Sequence, residues 1–115
     1  MIAKKYRFHS RGGIKYTYKN GTTIRGTKIS LVFAANSRHH QRFSVVVSKK
    51  VLKSAVGRNR IRRRVYEAIR LELPEFKQNV DCIFIINNKD IINMPFSELQ
   101  NLIAELLYRT TTPKS

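Results

Sequence analysis

The first 66 residues of this 115-residue chain contain no Asp or Glu, although they hold 18 of its 23 Lys and Arg residues. The first carboxylate is that of Glu67, and all seven acidic residues lie from there to residue 115. The formal net charge of +16 is therefore concentrated in one part of the chain. A surface charged only for solubility would mix both signs, whereas a one-signed stretch produces a field that attracts a polyanion. We expect a nucleic acid as the partner.

Long apolar runs are also absent. No stretch of about 18 uninterrupted apolar residues occurs, so the sequence predicts no membrane span. The basic N-terminal residues are followed by no apolar segment, and we therefore expect no secretory signal and a cytoplasmic protein. Binding to an anionic membrane is the weaker alternative to nucleic acid, because no segment is both basic and apolar enough to lie in lipid.

The residues that protein enzymes use for hydrolysis are sparse. A metal-dependent nuclease needs clustered carboxylates, but the acids here are scattered and all follow residue 66. His9 and the pair His39-His40 could suggest acid–base chemistry, but the pair lies in a polar connection without a nearby carboxylate, which favours solvated loop histidines. Cys82 is the only cysteine, so it cannot form an intramolecular disulfide, and it lies within an apolar run typical of a core. We expect no catalytic residue and no metal site in the chain itself.

The length favours a single domain over residues 1–115, with frayed ends at about 1–5 and 110–115. Residues 6–19 can form a first helix, although the pair Gly12-Gly13 favours a short or broken one. Residues 20–26 are typical of a loop because they open with Asn-Gly.

Two strands follow at residues 28–33 and 42–47, where apolar side chains alternate with others. The polar connection between them is suited to a hairpin. Val32 and Val46 lie on the strand faces opposite the main apolar face. The run at residues 82–86, CIFII, is apolar throughout, which predicts a central strand buried on both faces and possibly parallel to a neighbour.

The strongest helix prediction covers residues 57–73, ending before Pro74. Its apolar stripe consists of Ile61, Val65, Ala68 and Ile69. The opposite side carries Asn59, Arg63, Tyr66 and Arg70, with Arg60 and Glu67 close by. A last helix over 95–109 is a packing element. The order α-β-β-α-β-α predicts a small α+β sandwich in which helices pack against one sheet.

Between Lys49 and Arg64 the chain has eight basic residues and no acid. Like charges four residues apart, as in Arg58 and Arg62, slightly destabilise a helix, and cations near its N-terminus oppose its dipole. A bound anion would compensate both costs. The arginine fork fits phosphate and can stack on bases, whereas a helix that reads the DNA major groove would need Asn or Gln among the arginines and a second helix upstream. RNA is therefore favoured, and a ribosomal-type RNA-binding protein is an open alternative.

Residues 48–70, SKKVLKSAVGRNRIRRRVYEAIR, closely resemble the signature segment of the bacterial ribonuclease P protein component. The resemblance extends over roughly residues 6–109 in element order. It implies an α/β sandwich with an unusual left-handed crossover between parallel strands, against the usual right-handed preference. It also implies a monomeric subunit that binds a catalytic RNA and the 5′ leader of precursor tRNA, while the RNA performs magnesium-dependent hydrolysis.

The same resemblance assigns two sets of residues. The contacts to the catalytic RNA would be made by Lys49, Lys50, Lys53, Arg58, Asn59, Arg60, Arg62 and Arg63. A cleft between the first helix and the open sheet face would hold the single-stranded leader through Ile14, Tyr18 and Val32, aided by Phe8 or Tyr16. Because Ile14 and Val32 stand where the family has aromatic rings, base stacking would depend mainly on Tyr18.

Overall fold

The computed structural model describes residues 2–8 and 11–111. His9 and the last four residues of the expected C-terminal frayed end, 112–115, lie outside the described residues. The described chain contains a 3₁₀ helix Lys4–Tyr6, α1 Arg11–Asn20, β1 Thr22–Ile24, β2 Ile29–Ala35, β3 Arg42–Val47, α2 Ala55–Glu72, β4 Val80–Ile86, a 3₁₀ helix Lys89–Ile92 and α3 Phe96–Thr111. Ile2 is buried in the main core, so this part of the expected frayed N-terminal end packs against the fold.

The four strands form one sheet in the order β1-β2-β4-β3. β4 pairs antiparallel with β2, Leu31 opposite Phe84, and parallel with β3, Val45 opposite Phe84. The prediction of a central, doubly buried strand parallel to a neighbour is therefore confirmed. The hairpin prediction is wrong, because β2 and β3 are separated by β4 rather than paired with each other.

The connection between β2 and β3 crosses the start of β4 instead of making a tight turn. Asn36 holds it there: its backbone N–H donates to the carbonyl oxygen of Asn79 at 2.9 Å, and its side-chain amide donates to Asp81 Oδ1 at 2.8 Å. The most apolar strand takes the central position because both of its faces can then be covered.

The loop expected at residues 20–26 contains the short strand β1, which pairs with β2. Gly21 joins α1 to β1 at a point where the backbones nearly touch. A Cβ there would lie 2.4 Å from the Thr17 carbonyl oxygen and 2.7 Å from that of Phe33. Only glycine allows this close approach, which places α1 directly over the sheet.

Helices cover both faces of the sheet. The main core lies between the sheet and the pair α2 and α3, and it contains the predicted stripe of α2, all four residues being fully buried. A smaller apolar cluster lies on the opposite face, where α1 and the N-terminal segment pack. Val32 and Val46 belong to this second cluster, as the alternation in their strands predicts. The observed architecture is thus the α+β sandwich expected from the sequence.

Candidate nucleic-acid interface

The connection from β3 to α2 projects cations into solvent. A turn closes where the N–H groups of Val51 and Leu52 donate to the carbonyl oxygen of Ser48. Ser54 then caps α2, its hydroxyl accepting from the N–H of Gly57 at 3.1 Å. Between turn and cap, the side chains of Lys49, Lys50 and Lys53 are exposed. This local structure fixes three cations at the N-terminal end of α2.

The first two turns of α2 continue this positive surface. Asn59, Arg60 and Arg63 are exposed, whereas Arg58 and Arg62 are partly buried. The Arg58 guanidinium donates to the carbonyl oxygens of Leu52 at 3.0 Å and Lys53 at 2.7 Å, so it also holds the connection against the helix. We define the cationic surface as Lys49, Lys50, Lys53, Arg58, Asn59, Arg60, Arg62 and Arg63. The structure brings all eight residues of the sequence prediction onto neighbouring turns.

Arg64 differs from its neighbours in α2. Its guanidinium donates to the backbone carbonyl oxygens of Ile91 and Met94, in the segment that leads from β4 to α3. Arg64 therefore fastens α2 to another part of the fold. Nothing in the sequence distinguishes it from Arg63, because only the fold brings those carbonyl groups beside it.

Tyr66 is buried, although helix geometry placed it on the outer side of α2. Burial raises the pKa of its hydroxyl, while hydrogen bonds with the Val45 backbone and the Ser44 side chain and the charges of Arg7 and Arg62 act in the opposite direction. The expected exposure of Tyr66 is wrong because α2 lies beside the edge strand β3. That strand covers the side of the helix on which Tyr66 lies, which would face solvent if the helix packed only on the flat face of the sheet.

Three of the residues predicted for the leader cleft, Phe8, Ile14 and Val32, gather on the sheet face beneath α1. Phe8 and Val32 are each 3 % exposed and pack with Ile83, while Ile14, Val46 and Ile85 are partly buried around them. Phe8 and Val32 therefore pack beneath the accessible surface of this sheet face and contribute little exposed area to it. Tyr18 is 46 % exposed, and Tyr16 on the same helix is 58 % exposed. The accessible apolar residues of this cluster are thus Ile14, Val46 and Ile85, and α1 itself carries the exposed rings of Tyr16 and Tyr18.

A cavity of about 500 Å³ opens at one end of this face, lined in part by Tyr16, Asn36, Arg42 and Asp81. Arg42 binds Asp81 in a two-point ion pair, with Nε–Oδ1 and Nη2–Oδ2 distances of 2.9 and 2.6 Å. Its guanidinium also lies 4.8 Å from the centre of the Phe8 ring. No local sequence pattern indicates this arrangement, because Arg42 and Asp81 are separated by 39 positions and meet only through the parallel pairing of β3 with β4.

The residues that could carry hydrolytic chemistry have the following surroundings in the described part of the chain. Residues 2–8 and 11–111 contain no group of three or more His, Cys, Asp or Glu side chains that could hold a metal ion. His40 lies beside the carbonyl oxygen of Lys5, at 3.0 Å, and so contacts the N-terminal segment. Complete burial raises the pKa of the Cys82 thiol far above its usual range, which makes it an unreactive core residue. No helix within the described ranges has the length and apolar character needed to cross a membrane.

The four-stranded sheet between helices and the cationic surface at the start of α2 define a class: small, strongly basic α+β proteins whose charge suits a polyanionic partner. The chain belongs to the Ribonuclease P family, whose model matches residues 2–111. It is 36 % identical over 106 residues to the ribonuclease P protein component of Chloroflexus aurantiacus, covering 92 % of this chain and 78 % of that protein. It is 35 % identical over 108 residues to that of Roseiflexus castenholzii, covering 94 % and 88 %.

Solved structures agree with this assignment at the level of the fold. The RNase P protein of Staphylococcus aureus superposes with a TM-score of 0.79 at 24 % identity, covering 92 % of this chain and 95 % of that one. The protein from Thermotoga maritima gives 0.80 at 23 % identity, covering 90 % and 96 %. Membership in the family of ribonuclease P protein components implies a subunit of an endoribonuclease holoenzyme with an RNA partner. This family membership favours a ribonuclease P subunit over a ribosomal-type RNA-binding protein.

Proposed function

We propose that this protein docks onto the catalytic RNA of ribonuclease P through its cationic surface and assists removal of the 5′ leader from precursor tRNA. The observation that carries the proposal is the display of Lys49, Lys50, Lys53, Arg60 and Arg63 in solvent on consecutive turns, with no acid among them. Mutual repulsion makes such a surface unfavourable on its own. Neutralising RNA phosphates removes that repulsion and releases condensed counterions, which supplies the free energy of binding.

The α1 side of the sheet is the proposed contact for the leader. Tyr18 and Tyr16 offer exposed rings, and single-stranded bases stack on aromatic rings without regard to sequence. The partly buried apolar residues Ile14 and Val46 lie on the same sheet face. In this arrangement, two different surfaces of one small protein hold the catalytic RNA and its substrate, which positions the scissile bond at the RNA active site.

Magnesium belongs to the RNA in this proposal. The described residues do not fit a magnesium site, because no cluster of carboxylates is present to supply oxygen ligands. The protein's own contribution is to bind and orient the two RNAs. By lowering the electrostatic repulsion between them, it reduces the concentration of divalent ions that the RNA needs.

Arginine substitutions on α2 test the docking surface. We expect Arg60→Ala and Arg63→Ala each to weaken binding to the catalytic RNA by about tenfold, because each loses a charge-assisted bond to phosphate. The slope of log affinity against log salt should fall by about one for each. Filter binding or fluorescence titration over a salt series measures both quantities.

Arg70→Ala is the matched control for these variants. Arg70 lies on the same helix, but its guanidinium bonds with Glu67, with an N–O distance of 2.5 Å, and so carries little net field. We expect its removal to leave RNA affinity within about twofold of wild type. If all three variants lost affinity equally, the protein would bind RNA through its overall charge rather than through the cationic surface.

Tyr18→Ala tests the leader contact. Loss of one stacked base should reduce affinity for precursor tRNA by about fivefold or more in the holoenzyme, while affinity for mature tRNA and for the catalytic RNA stays unchanged. Tyr108→Ala, on the exposed surface of α3, is the control and should alter neither. Equal losses for precursor and mature tRNA with Tyr18→Ala would contradict the leader assignment.

A further inference from the structure

The turn between β1 and β2 is held in one conformation, although its residues are largely exposed. Gly26 packs closely against the start of β2, since a Cβ there would lie 2.2 Å from a backbone carbonyl oxygen of that strand. The side-chain amide of Asn87, which follows β4, donates to the Gly26 carbonyl oxygen at 2.9 Å and to Ser30 Oγ at 2.8 Å. The N–H of Asn87 donates to the Lys28 carbonyl oxygen at 2.8 Å. The side chains of Arg25 and Lys28 therefore extend from a fixed backbone.

A cavity of about 220 Å³ lies between this turn and α3. Three cations line it, because Arg25 and Lys28 come from the turn and Arg109 comes from α3. Its apolar wall includes Ile29 and Leu106, which are buried in the main core. A single water molecule needs only about 10–15 Å³ of such space. A larger polar group can therefore enter between the fixed turn and the helix.

The cations of this cavity outnumber its acids. Among the described residues Glu105 supplies the only carboxylate of the lining, so three positive charges meet one negative charge. None of the three cations forms an ion pair within residues 2–8 and 11–111. The dipole of α3 favours Arg109 in its last turn, but it does not account for the two cations of the turn beside it. An anion among the three side chains would reduce their mutual repulsion.

The cavity lies at the same end of the sheet as the start of the cationic surface. Strand pairing aligns Ile29, at the start of β2, with Ile86 at the end of β4, and Ile86 with Val47 at the end of β3. Lys49 follows Val47 after one residue. The ends of β2 and β3 are two strand spacings apart, about 10 Å. The segment that follows β4 adds one exposed cation and one exposed acid. One polyanion can therefore reach both groups of cations.

We propose that the cavity lined by Arg25, Lys28 and Arg109 binds a phosphate of the catalytic RNA backbone and so continues the contact of the cationic surface across the end of the sheet. The choice of the catalytic RNA rests on the proposed function, whereas anion binding itself does not. Each guanidinium can donate two parallel bonds to phosphate oxygens, and the lysine adds a point charge. The leader is assigned to the sheet face beneath α1, whereas the cavity lies against α3 on the main-core face. The catalytic RNA is therefore the ligand that reaches it.

Removal of the two cations of the turn tests this contact by titration with the cognate catalytic RNA. Arg25→Gln combined with Lys28→Gln should weaken binding by about tenfold. The slope of log affinity against log salt should fall by about one, because one phosphate contact is lost. Arg38→Gln combined with Lys77→Gln removes two exposed cations from the opposite end of the sheet and is the charge-matched control. We expect the control to lose less than about twofold in affinity.

Two results with these variants would overturn the inference. One is equal affinity of the two double variants for the catalytic RNA, which would show that the RNA responds to net charge alone. The other is a selective loss of precursor tRNA over mature tRNA in the holoenzyme when the turn cations are removed, which would assign the cavity to the substrate. Circular dichroism checks that each variant retains its fold.

A second experiment uses inorganic phosphate, so its result does not depend on the proposed function. Phosphate added to the wild type at constant ionic strength should shift the backbone amide resonances of Gly26 and Thr27 in two-dimensional NMR spectra. Arg25→Gln combined with Lys28→Gln should lose these phosphate-induced shifts. Glu105→Gln removes the acid of the cavity and should therefore reach the same shifts at a lower phosphate concentration.

The two experiments separate failure of the site from failure of the proposed function. Resonances of Gly26 and Thr27 that phosphate leaves unmoved would refute the anion site, whatever the RNA titration shows for the wild type. Phosphate-induced shifts at these residues in a wild type that does not bind the catalytic RNA would refute the proposed function and keep the anion site.

Discussion

Adjacent arginines in α2 have different roles because the helix turns them toward different surroundings. Arg63 faces solvent within the cationic surface, whereas the guanidinium of Arg64 donates to the carbonyl oxygens of Ile91 and Met94. A charged donor on two backbone acceptors supports the segment between β4 and α3, which has no regular sheet or long helix to satisfy its carbonyl groups. Arg64 therefore contributes to stability, and Arg63 is available for a partner.

Substitution of the two residues should separate stability from binding. We expect Arg64→Ala to lower the free energy of unfolding by about 2 kcal/mol, because two carbonyl groups lose a charged donor. Arg63→Ala should change it by less than about 0.5 kcal/mol, as is usual for an exposed surface residue. Urea unfolding followed by circular dichroism measures both values. Equal stability of the two variants would show that the Arg64 contacts are not maintained in solution.

At the scale of elements, the alternation of apolar side chains identified β2 and β3, helical spacing of apolar residues identified the two long helices, and the unbroken run CIFII identified β4 as central. These patterns are local, so they are visible in the sequence. The pairing of strands is not local. The order of β2 and β3 depends on β4, which comes 33 positions after the end of β3, and neighbours in the sequence were therefore mistaken for neighbours in the sheet.

In the candidate site too, local features could be predicted from the sequence and non-local contacts could not. The cationic surface could be predicted because its eight residues lie within 15 positions and share consecutive turns of one segment. The burial of Tyr66, the contacts of Arg64 and the Arg42–Asp81 pair could not, because each depends on a partner that only the fold brings near. The same holds for the cavity beside Arg109, because the β1–β2 turn and α3 meet only in the fold.

Substitution of Gly21, which connects α1 to β1, tests how closely the helix must approach the sheet. We expect Gly21→Ala to destabilise the protein by about 1–3 kcal/mol, because the new Cβ would overlap two backbone carbonyl oxygens that cannot move independently. Gly12→Ala, at an exposed position of α1, is the control and should be neutral or slightly stabilising. Thermal unfolding compares the two. A Gly21→Ala variant as stable as wild type would mean that α1 lies farther from the sheet than the structure shows.

At the scale of the whole molecule, charge is separated along the chain and in space. Three acids of the later part have side-chain partners: Asp81 pairs with Arg42, Glu67 pairs with Arg70, and Glu72 accepts a hydrogen bond from Gln100. The cations of the cationic surface have no acidic partner among the described residues, so their field extends into solvent. The protein thus combines two ion pairs elsewhere in the fold with a cationic surface that no acid of the described residues neutralises.

The central claim is that the cationic surface binds a catalytic RNA and that the protein does not itself hydrolyse RNA. The most direct measurement is cleavage of precursor tRNA by the cognate ribonuclease P RNA at low magnesium, with and without the protein, beside the protein alone. We predict cleavage that rises on addition of the protein and no cleavage by the protein by itself. Hydrolysis by the purified polypeptide, or an RNA reaction that the protein leaves unchanged at every magnesium concentration, would contradict the account.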